Sequence, residues 1–307
     1  MPSLRSRLFY FVFRNRHLLE GKLKRDVFDS KASIEDFRTQ CEEGAKARTR
    51  IPDGIRVVED IIQGIRSEWL IPESTDEKKL IFYVHGGGYV SGSCSDHRWI
   101  VSKFAEQCGL TTLQFEYRLA PEHPFPQGFE DAIAVYQSVL EGPYEAKNIV
   151  FVGESAGGGL ALAMLLALRD RGLEMPAAAV AISPWTDLTC SSASYRTKAK
   201  VSVALPNSWW VFREAYIGEQ PADLPLISPL FGDLHGLPPI LINAGEDDEL
   251  FEDGEKFFLK AREHGDVTFR AGEGMVHCYP LLAPFFPEAV EAMDEICGFI
   301  LKHLGAD

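Results

Sequence analysis

The stretch Ile149 to Leu162, IVFVGESAGGGLAL, restricts the possible folds of this chain more than any other. Four apolar residues, Ile149 to Val152, read as a fully buried strand, and the alanine- and leucine-rich run from Gly157 to Arg171 reads as a helix. Only a few residues separate the two, so the chain must pass from strand to helix through a sharp turn. Gly153 and Gly157 flank Ser155 at two residues on either side, where a missing Cβ lets such a turn close. The pattern is G-x-S-x-G, the nucleophile elbow, which holds a serine hydroxyl clear of the backbone. The unpaired N–H groups and positive dipole end of the following helix suit a negative charge developing nearby. The same residues would also fit a serine that merely caps its helix.

The rest of the chain repeats the strand-then-helix rhythm. IRVVEDII and GIRSEWLIP read as a hairpin turning at Gln63 and Gly64. KLIFYVHGGG, LTTLQFEYR, NIVFVGES, AAVAISPW, PPILINAGEDD and DVTFRAGEG then read as strands. Helical patterns occupy Ile100 to Cys108, Phe129 to Leu140, Gly157 to Arg171, Phe251 to His264 and Pro287 to His303. Such alternation predicts an α/β protein with a mostly parallel, doubly wound sheet covered on both faces. The interval 187–237 breaks the rhythm: it offers no good core strand and is rich in aromatics and prolines. Intervals this long in compact domains are usually lids or binding segments, and it is assigned to a cap. The core is then 51–186 and 238–307.

At 307 residues, with 46% hydrophobic and 25% charged, the chain can bury one large core. A formal net charge of −14 excludes general nucleic-acid binding, which needs a basic footprint, and favours a small neutral substrate. No apolar run approaches the length of a membrane span. The segment from Leu4 to about Arg50 reads as helical. Its first part combines Arg5, Arg7, Arg14 and Arg16 with the aromatic run Leu8 to Phe13, and no small-residue cleavage site follows. It reads as an amphipathic helix packing over the protein's own pocket, with contact to anionic lipid as the other possibility. The six cysteines lack C-x-x-C spacing, so neither a zinc site nor a disulfide framework is expected and a reduced, cytoplasmic chain is. Cys278, beside a histidine, reads as a small core residue rather than a nucleophile.

An activated serine needs a base, an acid to orient it and donors for the oxyanion. His85, Gly86, Gly87 and Gly88 directly follow a strand, and the N–H groups of Gly87, Gly88 and Ala156 would form the oxyanion hole. Losing one such donor costs roughly 10²–10³ in rate. His277, in a glycine-bearing loop after the last strand, is the candidate base. His85 is read as a support for the glycine loop, and the other six histidines are given no role. For the acid, NAGEDDELFEDGE offers Glu246, Asp247, Asp248, Glu249, Glu252 and Asp253.

HGGGYVSGS, YRLAPEHPFP, GESAGGGLAL and SPWTDLT, in that order, resemble the hormone-sensitive lipase-like esterases of the α/β-hydrolase fold. The resemblance runs from about Trp69 to the C-terminus. It implies a carboxylesterase for short- or medium-chain esters, needing no metal or cofactor, with a cap built from N-terminal helices, 1–50, and the segment after SPWTDLT. It also implies a possible homodimer through the edge strand and last helix. Two positions depart from the family, which usually has Asp where this chain has Glu116 and Glu154. The family's D-P-L-R-D-E-G-E pattern falls on Asp248 to Glu255, which selects Asp248 as the acid. Asp248 precedes His277 by 29 residues, one fewer than the family spacing, which a deletion in the HGDVT turn would explain. Asp247 would restore the spacing and stays open.

The expected chemistry is acyl transfer: Ser155 attacks, His277 moves the proton, Asp248 orients the imidazole, and Gly87, Gly88 and Ala156 hold the oxyanion. Tyr89, Trp209 and Phe212 are candidate pocket residues. The same residues would serve an amidase or a deacetylase. A ligand-binding hydrolase homologue, as in the gibberellin receptors, would lack the working histidine.

Overall fold

The computed structural model describes residues 2–19, 21, 27–28, 31–46 and 51–305. Its centre is an eight-stranded sheet in the order β1-β2-β4-β3-β5-β6-β7-β8. The strands are β1 (Ile55–Ile62), β2 (Ile65–Pro72), β3 (Leu80–Val84), β4 (Thr111–Phe115), β5 (Ile149–Glu154), β6 (Ala178–Ile182), β7 (Ile240–Gly245) and β8 (Val267–Gly272). β1 and β2 form the expected hairpin about Gln63 and Gly64, and β2 joins β4 antiparallel. From β4 to β8 every pairing is parallel.

Strands β3 to β7 are buried along their whole length, which is why they read as unbroken apolar runs rather than alternating ones. Alternation survives in which layer each residue joins. Leu80, Phe82, Ile149 and Phe151 pack in one core, and Ile81, Tyr83, Val150 and Val152 pack in the other. The first core holds α5 (Gln127–Leu140), α6 (Ala156–Asp170) and Phe257 of α9 (Phe251–Ala261). The second holds α4 (Cys94–Cys108) and α10 (Pro287–Leu304). α4 begins six residues before the apolar periodicity does. Ser93 and Asp96 close a capping box there, so the start is set by polar groups.

The chain order turns at β3: β4 lies on one side of it and β5 on the other. The HGGG loop leaves the end of β3 and the serine turn leaves the end of β5, with Val84 opposite Gly153. This places both loops at the crevice beyond the carboxyl ends of the strands, where open α/β sheets bind ligands.

The N-terminal helical pattern divides into α1 (Leu4–Arg14), α2 (Arg16–Leu19) and α3 (Lys31–Lys46); the pattern over 20, 22–26, 29–30 and 47–50 lies outside the described residues. α1 lies along α10, where Phe9 stacks on Phe285 and Tyr10 meets Phe286 edge-on. Ile34 and Phe37 of α3 join Phe28 in packing against the main core. The interval 187–237 contributes no strand and holds α7 (Ser194–Thr197), α8 (Ser208–Ile217) and a 3-10 turn, Pro229–Phe231, which packs on α6 and α9.

Phe151, fully buried at the centre of the sheet, meets Tyr136 edge-on at 4.9 Å and Phe82 at 5.1 Å. Phe151→Ala is expected to destabilise the fold by about 3–5 kcal/mol. Urea denaturation followed by tryptophan fluorescence measures it, and a loss below about 1 kcal/mol would show that the core collapses around the vacancy.

Candidate active site

Ser155 takes φ 57° and ψ −124°, a conformation that residues with a Cβ rarely adopt. Its N–H donates to Ile182 O at 2.8 Å, and its own carbonyl accepts from Gly159 N–H and Trp185 N–H. A Cβ at Gly153 would strike the backbone of Gly157, and one at Gly157 would strike the carbonyls of Val84 and His85. The glycines of the elbow are thus required by contact between β5, α6 and the end of β3. Ser155 occupies the N-cap position of α6 but makes no capping hydrogen bond. Its hydroxyl points elsewhere.

That hydroxyl lies 2.9 Å from His277 Nε2, and His277 Nδ1 lies 2.8 Å from Asp248 Oδ2. A carboxylate only accepts, so Nδ1 carries a proton, and Nε2 of the neutral ring accepts from the serine. Asp248 is fully buried and its second oxygen accepts Leu250 N–H at 3.0 Å. Burial opposes charge on His277, but the Asp248 carboxylate outweighs it and holds the imidazole well above its usual range.

The structure distributes the remaining acids of the loop. Asp247 turns away from the histidine to Arg14 at 3.0 Å and Lys198 at 3.7 Å. Glu249 accepts Trp209 Nε1–H at 3.1 Å, Glu252 accepts Ala193 N–H, and buried Asp253 accepts from Ser192 and Tyr195. Burial pushes the Cys278 thiol up to about 11 despite its neighbour His277, which leaves little thiolate at neutral pH.

Gly87 and Gly88 take φ of 105° and 65°, and their N–H groups, like that of Ala156, make no hydrogen bond within the described residues. Phe212 lies so close to Gly88 that a Cβ there would strike its ring. Trp209 meets the His277 ring edge-on at 5.4 Å. Tyr89 is 2% exposed, with its ring stacked on Tyr216 at 3.7 Å, and so packs behind the glycine loop.

Two polar anchors, the Glu154–His97–Asp96 cluster and Arg38, were not legible in the sequence, whereas His85 is read there as a support for the glycine loop. Glu154 accepts Gly86 N–H and pairs with His97 Nε2 at 3.0 Å, while His97 Nδ1 meets Asp96. His97, one of the histidines left without a role, therefore holds the residue beside the nucleophile. The departure from Asp to Glu154 was the available signal, since a longer side chain needs a partner. His85 stacks on Tyr117 at 4.2 Å, and burial, then the charge of His97, lowers its pKa to about 4. Arg38 of α3 donates to Val90 O, Ala120 O and both oxygens of Glu122, clipping the N-terminal segment to the strand-end loops.

A model of the α/β hydrolase fold family matches residues 81–281. Among curated relatives, an acetyl-hydrolase of Streptomyces hygroscopicus is 39% identical over 77% of this chain and 79% of its own. An esterase of Acinetobacter venetianus is 35% identical over 78% and 79%. A crystal structure of EstE5 soaked with p-nitrophenyl butyrate superposes with a TM-score of 0.90 at 33% identity, covering 99% of this chain and 100% of that one. An esterase from the bacterial hormone-sensitive lipase (HSL) family gives 0.89 at 32%, again over 99% and 100%. The chain belongs to the hormone-sensitive lipase-like esterase family of the α/β-hydrolase fold.

Burial disfavours a charged His97, but Asp96 and then Glu154 raise its pKa from 6.5 to about 10. A folded-state pKa above the unfolded one gives stability that is complete below about 6.5 and lost as pH rises through about 10. The melting temperature of His97→Asn should therefore fall furthest below wild type near pH 6.5 and converge on it by about pH 10. A gap that stays constant across this range would show that His97 is not held as the imidazolium.

Proposed function

We propose that this chain is a serine carboxylesterase that hydrolyses short- to medium-chain carboxylic esters through an acyl-enzyme. The observation that carries this reading is the unbroken line of hydrogen bonds from Ser155 Oγ through His277 to buried Asp248. Ser155 attacks the ester carbonyl while His277 Nε2 takes its proton, and Asp248 fixes the tautomer and stabilises the imidazolium. The N–H groups of Gly87, Gly88 and Ala156 receive the oxyanion. His277 then returns the proton to the departing alcohol, and a water activated by the same nitrogen releases the acid.

The relatives support the substrate class. One is named an acetyl-hydrolase, others esterases, and EstE5 was soaked with a butyrate ester. A short acyl limit also fits the aromatic walls: Phe212 closes on Gly88 and Trp209 on His277, so bulky rings flank the reacting carbon on two sides. The cap in this reading comprises the N-terminal helices and α8, with Arg38 as their tether. All six cysteines are free, which supports a reducing, cytoplasmic setting. A homodimer through edge strand β8 and α10 belongs to the same reading.

Hydrolysis of p-nitrophenyl esters from acetate to palmitate tests it. Activity should be greatest on the short members and fall by at least about 10⁴ in kcat in Ser155→Ala. Retention of full rate in that variant would remove the elbow from the chemistry.

The two acids can be separated in the same assay. Asp248→Asn should lose about 10⁴ in kcat, with Asp247→Asn within about threefold of wild type. Because the Asp248 carboxylate raises the His277 pKa, its removal should also move the acid limb of kcat/KM to lower pH. An unmoved limb in Asp248→Asn, or a larger loss in Asp247→Asn, would overturn this assignment.

A further inference from the structure

α1 is apolar on two sides, and the fold uses only one of them. Ser6 and Tyr10 are buried toward the protein, Phe9 packs on Phe285 and Phe286, and the Tyr10 hydroxyl donates to Met275 Sδ at 3.3 Å. The opposite side carries Leu4, Leu8, Phe11 and Val12, exposed by 81%, 65%, 66% and 48%. These four recur at i, i+4, i+7 and i+8 and so form one continuous stripe. Phe285, itself 45% exposed, extends the apolar surface beyond the helix.

The charge around this stripe is unlike that of the rest of the molecule. At about 100° per residue, Arg5 and Arg7 fall on its two flanks, and both are exposed. Residues 1–25 contain seven Lys or Arg and one acidic residue, although the whole chain carries −14. The acid excess therefore lies entirely in the remainder. An exposed apolar stripe bordered by arginines is the arrangement that beds a helix into an anionic bilayer surface, apolar side down and guanidinium groups at the phosphates. Nucleic acid would also answer the charge but not the four exposed apolar side chains.

We infer that α1 is a peripheral docking helix for an anionic phospholipid surface. Screening beyond about 8 Å at physiological salt allows the basic helix to approach such a surface while the acidic body faces away. Docking there brings the lipid close to the proposed catalytic loops. Tyr10 contacts Met275, two residues before His277, and Arg14 pairs with Asp247, next to Asp248. Esters dissolved in the bilayer would then be concentrated at that end of the protein.

Sedimentation of the full chain with vesicles tests this independently of the catalytic reading. The probes are phosphatidylcholine alone and phosphatidylcholine with about one-third phosphatidylglycerol, at low and high salt. Wild type should pellet with the anionic vesicles, stay in solution with the neutral ones, and detach as salt rises from about 0.05 to about 0.5 M. Leu8→Asp/Phe11→Asp and Arg5→Gln/Arg7→Gln should each bind at least about tenfold less, with unchanged hydrolysis of p-nitrophenyl acetate in solution. No pelleting of wild type, or equal pelleting of both variants, would overturn the inference. So would a wild-type dimer by light scattering that Leu8→Asp/Phe11→Asp dissociates, because a second copy would then cover the stripe.

Discussion

The left-handed backbone at Ser155 costs about 1–3 kcal/mol, and much of the surrounding structure serves to hold it there. The strain is sustained because the flanking segments are rigid and in contact: β5 is buried end to end, and α6 is buried from Ala156 to Leu168. Bringing a helix so close to its own strand requires residues without side chains, which explains Gly153 and Gly157 through the collisions a Cβ would make. Hydrogen bonds from Ser155 N–H to Ile182 and from Trp185 N–H to Ser155 O tie the turn to the end of β6. The result is a hydroxyl held apart from its helix and available to a distant imidazole.

A fixed serine is useful only if the glycine loop and the histidine loop are fixed relative to it. Glu154 does the first, because one carboxylate accepts Gly86 N–H from the β3 loop while being covalently next to Ser155. His97 and Asp96 complete that cluster as a half-buried imidazolium between two carboxylates. Arg38 acts from the other side, reaching Val90 just past the glycines and Ala120 of the YRLAPE segment. The histidine loop is anchored by Cys278 N–H on Ser183 Oγ at 3.0 Å. Each tether crosses between elements far apart in the chain.

That distance explains what the sequence made legible. The sheet was readable because buried parallel strands are unbroken apolar runs, and Ser155, Gly87, Gly88 and His277 could be named because short glycine-bearing motifs mark sharp turns. His97 gave no local sign: its role arises only once β3, α4 and β5 are packed together. The start of α4 was misplaced for a similar reason, since Ser93 and Asp96 set it by capping rather than by apolar period. The choice between Asp247 and Asp248 could not be made from spacing, because adjacent residues in a turn differ in direction rather than in distance from His277.

The acidic loop shows how direction creates chemistry. Several carboxylates crowded near one imidazole could hold it permanently charged, and a permanently charged histidine cannot accept a proton. Here Asp247 is drawn off by Arg14 and Lys198, and Glu252 by Lys256. Burial raises Glu249 and Asp253, which favours their neutral forms. Asp248 is left as the carboxylate hydrogen-bonded to Nδ1, buried and aligned. One of the cations in this arrangement, Arg14, belongs to α1. The N-terminal helix therefore helps to hold Asp247 turned away from His277.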